Sequence, residues 1–126
     1  MQSRTTVISV SFNSAQIIEK MLRSIPNHVA IKIVDNCSID DISKTVSSFN
    51  NCHLIENTSN QGFGRACNLG ASKSKTEFLF FLNPDATIKL DTISELEKFA
   101  DENSQMGAAN PLIKSENNKT RLKMSS

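Results

Sequence analysis

The sequence predicts an α/β domain built on an open, mostly parallel, doubly wound sheet. Three observations lead there. Short β-branched or aromatic runs alternate with segments whose apolar residues recur at helical spacing. The fourth run, "TEFLFFLN" (76–83), is apolar enough for a strand buried on both faces, as parallel sheets require. Finally, polar residues collect where the runs end, which is where open α/β sheets place their ligands. Strands alternating with helices of this length imply right-handed crossovers and helices on both faces.

Taken in order, "TTVISVSF" (5–12) reads as a buried strand. Ile17, Ile18, Met21, Leu22 and Ile25 then mark an amphipathic helix, with Asn13 or Ser14 as N-cap and Pro26 just past its end. "VAIKIVD" (29–35) is the second strand, and Ile39, Ile42, Val46 and Phe49 mark a second helix behind the turn "NCSIDD". "CHLIEN" (52–57) is a short third strand. The polar loop "TSNQGFGRA" leads into a third helix carrying Ala66, Leu69 and Ala71, before the fourth strand at 76–83. Asp91 can cap a fourth helix with Ile93, Leu96, Phe99 and Ala100 on its apolar stripe, and "MGAANPLI" (106–113) reads as a further strand. The polar segment 114–126 reads as a frayed tail.

At 126 residues and 38% hydrophobic content, the chain fits one domain, 1–126, with an ordinary core. Its formal net charge of +1 leaves no electrostatic footprint for nucleic acid or an anionic membrane, so an anionic ligand has to be held by local groups. No segment approaches the roughly 20 continuous apolar residues of a transmembrane helix, and the polar start from Met1 to Thr6 is unlike a signal peptide. A cytoplasmic location is the default expectation. Cys37, Cys52 and Cys67 form no CxxC pair, which argues against a disulfide framework and a zinc site, and His28 and His53 are isolated.

The strand ends carry the chemistry. Ser11, Phe12 and Asn13 follow the first strand; Asp35, Asn36 and Ser38 follow the second; Asn83 and Asp85 follow the fourth, around Pro84. A hard cation such as magnesium or manganese takes oxygen ligands and needs only one or two carboxylates when diphosphate oxygens complete its shell. Asp85 is the candidate metal ligand, and Asn83 is placed to reach the metal's water or a ribose hydroxyl. "NPDA" reads equally as a generic turn, and Asp35 equally as a helix cap. In "NQGFGRACNLG" (60–70), Gly62 and Gly64 permit close backbone approach, and Arg65 offers a planar donor for phosphate or for stacking on a base. The loop lacks GxxxxGK[ST], GxG alone is weak, and a flexible start to the third helix is the plain alternative.

As an ordered set, "VISVSFNSA", "IVDNCSIDD", "NTSNQGFGRACNLGA" and "FLFFLNPDA" resemble the N-terminal half of family 2 glycosyltransferases with the GT-A fold, especially their bacterial rhamnosyltransferase-like branch. The resemblance covers residues 5–113. It implies a truncated GT-A-like sheet that binds a nucleotide-diphosphate sugar, UDP- or dTDP-linked, for inverting transfer to a saccharide or lipid-linked acceptor in polysaccharide biosynthesis. By position it implies that Ser11, Phe12 and Asn13 lie against the nucleotide, that Asp35 and Asn36 hold the base and ribose, and that Arg65 approaches base or phosphate. Asn83 to Asp85 stand where the family has its DxD-type motif, so Asp85 would bind the cation. Two departures lower the negative charge offered to that cation: Asn36 stands where a second aspartate is common, and Asn83 replaces the first acid of DxD.

In this family the acceptor-binding part and the general base follow the metal motif further along the chain. The expectation is therefore a donor-binding half with the acceptor half missing and the catalytic base unknown. Glu116, the one acid after Gly107, reads as a solvated charge in a polar tail. The competing expectation is a non-catalytic nucleotide-sugar-binding or interaction domain that pairs with another chain, as in a homodimer through a sheet edge. Attachment to the inner face of the membrane is a further expectation. A dinucleotide oxidoreductase is disfavoured by the missing GxGxxG after the first strand, and a flavodoxin-like receiver by a first strand that ends in Ser-Phe-Asn.

Overall fold

The computed structural model describes residues 3–103, together with the backbone of 108–111 and 122–125. It divides into two compact units, Met1–Leu90 and Asp91–Ser126. In the first unit the order is β1 (Thr5–Ser11), α1 (Ile18–Ser24), β2 (Ala30–Asp35), α2 (Ser43–Ser47), β3 (Cys52–Glu56), α3 (Phe63–Ser72) and β4 (Phe78–Phe81). The four strands form one sheet in the order β3-β2-β1-β4, every pair parallel. The open parallel α/β sheet predicted from the sequence is what forms.

Register follows from the buried alternation. Val7, Ile31 and Ile33 point to one face, while Ile8 and Val34 point to the other, and all five are buried. A sheet covered on both sides explains why β1 and β2 read as nearly continuous apolar runs. The crossovers from β1 to β2 and from β2 to β3 run in one direction, so right-handedness puts α1 and α2 on one face; the return from β3 to β4 puts α3 on the other. Ile18, Met21 and Leu22 of α1 and Val46 of α2 are buried accordingly.

The close seating of α3 depends on one glycine. A Cβ at Gly70 would lie 2.6 Å from Ile8 Cγ2 and 3.2 Å from Val34 Cγ2, so the helix backbone rests directly on β1 and β2. Gly64, in the same helix, would meet nothing within 4 Å.

Several elements differ from expectation. β4 is shorter than 76–83 and is not buried on both faces: Leu79 is 40% and Phe81 48% exposed. Among the described residues it is the end strand of its sheet, and α3 lies mainly over β1 and β2. Helix α2 is shorter than the Ile39–Phe49 pattern, and Ile39 is 95% exposed. Residues before it are drawn into side-chain bonds with the β1 tip, and Cys37 has φ 66°, which no helix accommodates. Neither Asn13 nor Ser14 caps α1 through its side chain; Ile17 and Ile18 N–H instead donate to the Ser14 carbonyl, both at 3.0 Å.

In the second unit, α4 (Thr92–Glu102) starts after Asp91, whose side chain makes no capping bond. Ile93 is buried and Leu96, Phe99 and Ala100 are half-buried. β5 (Ala108–Pro111) pairs antiparallel with β6 (Leu122–Ser125). The strand expected over 106–113 is thus seen at its centre. The tail expected to fray contains β6, where Leu122 and Met124 alternate with Lys123 and Ser125 at strand period; the rest of 114–126 lies outside the described residues. No helix among the described residues is long and apolar enough to cross a membrane.

Two stability outcomes follow from this packing. Gly70→Ala should lose about 1–3 kcal/mol in urea unfolding, because the added methyl overpacks a contact with side chains that are themselves buried. Gly64→Ala in the same helix should be neutral or gain up to about 1 kcal/mol, by reducing unfolded-chain entropy without a clash. Burial in β3 also pushes the Cys52 thiol up to about 12, against a small opposing pull from Lys32. A group whose folded pKa is raised stabilises fully below its unfolded value and loses that contribution as pH rises through the folded one. Unfolding measured between pH 9 and 12 should therefore show an alkaline loss of stability that is shallower in Cys52→Val.

Candidate functional site at the carboxyl ends of the strands

Because all four strands are parallel, their C-terminal tips lie along one edge of the sheet. The chain order turns back there: it runs β1 to β2 to β3, then returns to place β4 on the far side of β1, which creates the crevice where such sheets bind ligands. Ser11, Asp35 and Glu56 stand in register at this edge. The ladder continues past the strands. Asn36 N–H donates to the Ser11 carbonyl at 2.8 Å, Asn57 N–H to the Asp35 carbonyl at 2.9 Å, and Leu82 N–H to the Ile8 carbonyl at 2.9 Å.

A side-chain clasp then joins the β1 tip to the β2 tip. Asp35 is buried and accepts with both oxygens from Ser38: the hydroxyl donates to Oδ1 at 2.5 Å and the N–H to Oδ2 at 3.1 Å. The Ser38 hydroxyl in turn accepts from Asn13 N–H at 2.8 Å, while Asn13 Oδ1 accepts from Ile39 N–H at 2.9 Å. Ala15 N–H donates to Asp40 Oδ2 at 3.0 Å. Asn13 adopts φ 53°, a conformation that asparagine tolerates and that aims its amide across the gap.

Asn36 makes a second clasp, toward the loop that precedes α3. It is only 3% exposed. Its Oδ1 accepts from Asn57 Nδ2 at 3.1 Å and from Gln61 N–H at 3.3 Å, and its Nδ2 donates to the Gly62 carbonyl at 3.2 Å. Gly62 sits at φ 88°, where a side chain would be strained, and its N–H is held by Asn60 Oδ1 at 2.9 Å.

The predicted site residues therefore fall into two groups. Asn13, Asp35 and Asn36 have side chains already bonded inside the protein, and Ser11 is fully buried, offering its backbone. Phe12, at 50% exposure, and Arg65, Asn83 and Asp85 are exposed, and the polar side chains of these last three have no hydrogen-bond partner among the described residues. Arg65 lies in the first turn of α3, and Asn83 and Asp85 flank Pro84 in a turn closed by Ala86 N–H donating to the Asn83 carbonyl at 3.0 Å. Topology brings Asp35, Arg65 and Asp85 to the same edge of the sheet.

Sequence reasoning underrated Ser38 and missed Asn57 and Asp40. The Asp-x-x-Ser spacing is a local turn signal and was available; Asn57 and Asp40 act across 21 to 25 residues, where local pattern says nothing.

Beside the β2 and β3 tips is an open depression of about 320 Å³, lined by Asp35, Ser38, Asp40, Asp41, Leu54 and Glu56 among others. Its acidic wall suits hydrogen-bond donors, such as a ring N–H or sugar hydroxyls, and repels phosphate. The Asp41 carboxyl is held below its usual value by hydrogen bonds from the Ser43 hydroxyl and backbone. Arg65, Asn83 and Asp85 lie outside this depression. Among the described residues, no three His, Cys, Asp or Glu side chains are grouped to hold a metal by themselves.

The chain superposes on the mannosyltransferase PcManGT from Pyrobaculum calidifontis, solved in complex with GDP-Man and Mn2+, with TM-score 0.78 and 21% identity over 94% of this chain and 37% of that one. It also matches S. aureus TarS residues 1–349, with TM-score 0.69 and 26% identity over 81% of this chain and 33% of that one. A longer S. aureus TarS structure gives TM-score 0.72 and 24% identity over 90% of this chain and 21% of that one. The chain thus spans well under half the length of these structures. No curated protein matches it in sequence. The model of glycosyl transferase family 2 matches residues 6–125, nearly the whole length, and the chain belongs to that family.

Proposed function

We propose that this chain binds the nucleotide-diphosphate sugar donor of an inverting glycosyltransferase of the rhamnosyltransferase-like branch, with a UDP- or dTDP-sugar as donor and a saccharide or lipid-linked acceptor. The observation that carries the reading is the split at the sheet edge: a bonded inner ring of Asn13, Asp35, Asn36 and Ser38, and an outer ring of Phe12, Arg65, Asn83 and Asp85 whose surfaces are free. Phe12 offers a ring face for a base. A carboxylate has about four lone-pair sites, so Asp35 can accept a pyrimidine N–H in addition to its two bonds from Ser38. Arg65 supplies a cation and a planar donor for base or diphosphate.

Asn83 and Asp85 form an oxygen-only donor pair with no internal obligations, which fits a hard magnesium or manganese ion whose remaining ligands are phosphate oxygens. The Mn2+ bound with GDP-Man in the P. calidifontis mannosyltransferase supports the same choice of ion. Such an ion supplies charge neutralisation on the departing nucleotide diphosphate. Asp85 would hold it with a carboxylate oxygen, and Asn83 would orient its water or a ribose hydroxyl. The transfer forms a bond from the acceptor hydroxyl oxygen to the anomeric carbon and breaks the bond to the diphosphate oxygen. A base within hydrogen-bond reach must take the hydroxyl proton, and in our reading that base and the acceptor site belong to a further portion of the enzyme, which acts in the cytoplasm at the inner face of the membrane.

A second reading, a non-catalytic binding domain that pairs through a sheet edge, draws on β4. Among the described residues it has one strand partner in its sheet, and it exposes Leu79 and Phe81.

Titration calorimetry with UDP, dTDP and GDP, each with and without manganese, tests the first reading. Manganese should tighten binding of a pyrimidine nucleotide diphosphate about tenfold or more, about 1.4 kcal/mol, and Asp85→Ala should remove that gain. Manganese having no effect on wild type would sink the role of Asp85. Arg65→Ala should weaken the diphosphate about tenfold, with Arg65→Lys recovering only part, because an ammonium cannot reproduce a planar fork. Donor binding without nucleotide release, in a dimer that Phe81→Lys dissociates, would favour the second reading.

A further inference from the structure

We infer that Asn36 is a positioning residue, which serves the donor site by fastening the 57–62 loop and the start of α3 to the tip of β2 and does not itself touch the nucleotide. The inference rests on the donor-binding reading above for its functional consequence, and on geometry for its cause. Both acceptor directions of the Asn36 amide and one of its two N–H donors are committed: Oδ1 accepts from Asn57 Nδ2 and Gln61 N–H, and Nδ2 donates to the Gly62 carbonyl. At 3% exposure it has little surface left to present.

The orientation of the amide follows from its partners, since two donors face one end and a carbonyl faces the other. That carbonyl also accepts the first helical bond of α3, from Ala66 N–H at 3.2 Å. Asn36 therefore grips the peptide that starts the helix, and Arg65 lies three residues further on in the exposed first turn. Its own N–H is anchored to the Ser11 carbonyl, so the grip runs from β1 through β2 to α3.

The chemistry is specific to an amide. Aspartate, the common residue at this place in the resemblance noted above, would keep both acceptor bonds but set a carboxylate oxygen against the Gly62 carbonyl. It would lose the one donor and leave a buried charge unpaired. Once protonated, the same carboxyl can donate to Gly62 and mimic the amide.

Two readouts test this. In hydrogen exchange without nucleotide, Asn36→Asp should speed exchange of the amides of Gln61 to Ala66 at least tenfold, while those of β1 and β2 stay protected; Asn57→Ala should do the same to a smaller extent. Unchanged protection of that segment in both variants overturns the inference, whatever the protein binds. In calorimetry with UDP or dTDP and manganese, Asn36→Asp should weaken binding about tenfold at pH 8, relative to wild type at the same pH, and recover toward wild type at pH 5. Asn36→Ala should show the loss without the recovery. Against an Arg65→Ala background, Asn36→Asp should cost little more; losses that simply add would mean that Asn36 meets the nucleotide directly. Absence of nucleotide binding by wild type would reject the donor-binding reading, and the exchange experiment would still decide whether Asn36 fixes the loop.

Discussion

The structure depends on how a parallel sheet disposes of the backbone groups at its carboxyl edge. Between paired strands each N–H and C=O facing the neighbour is bonded, but at the tips the chain must leave without burying unpaired groups. Here the ladder is extended by one step on each side, from Asn36 to Ser11 and from Asn57 to Asp35, and side chains of Asn13, Asp35, Asn36 and Ser38 take over where backbone pairing ends. Most buried polar groups here are satisfied, with Ser9 Oγ, Ser11 Oγ and Asp40 Oδ1 the exceptions among the described residues, and the bonds that satisfy them fix three loops against one another. Without those bonds, the β1 tip with Phe12, the β2 tip and the start of α3 with Arg65 would have no common frame.

That frame separates holding from contacting. Residues that fix the geometry have their polar groups bonded inside the protein, with Asp35 and Asn36 buried as well, and residues whose side chains are unbonded gain their placement from them. Asp35 spans both sets: it closes the Ser38 turn and also lines the acidic depression beside the β2 and β3 tips, as do the bonded Ser38 and Asp40. The separation of charge is spatial as well. Carboxylates gather on the β2–β3 side, whereas the cation of Arg65 stands at the start of α3, so in the proposed donor site a ligand with a hydrogen-bond-donating ring at one end and a diphosphate at the other would meet complementary surfaces in order.

Much of this was legible in the sequence, and the failures have physical causes. The strands at 5–11, 30–35 and 52–56 were readable because β-branched alternation and burial agree there. Leu79 and Phe81 misled because an apolar run reads the same whether or not a helix covers it, and α3 covers β1 and β2 instead. Ile39 fitted a helical period by coincidence; the bond from its N–H to Asn13, 26 residues away, belongs to tertiary structure. Strand ends brought the candidate residues to one edge, yet which of their side chains are bonded inside the protein was invisible, because that depends on partners far along the chain. Antiparallel pairing of β5 with β6 was missed because polar composition in 114–126 masked a short alternating stretch.

The two asparagines that stand where acids are common now have different physical meanings. Asn83 is exposed and unpartnered, so in the proposed donor site its neutrality would bear on the ligand: one carboxylate, from Asp85, would be left to offset a divalent cation, and more of that charge would have to be met by the diphosphate. Asn36 is buried and bonded at both ends of its amide, so its neutrality bears on the protein: a charge there would face the Gly62 carbonyl and the helix it begins. One replacement changes what the edge can bind, and the other keeps the edge assembled. Equal substitutions in sequence thus have unequal effects because burial decides whether a missing charge is read by solvent and ligand or by the surrounding backbone.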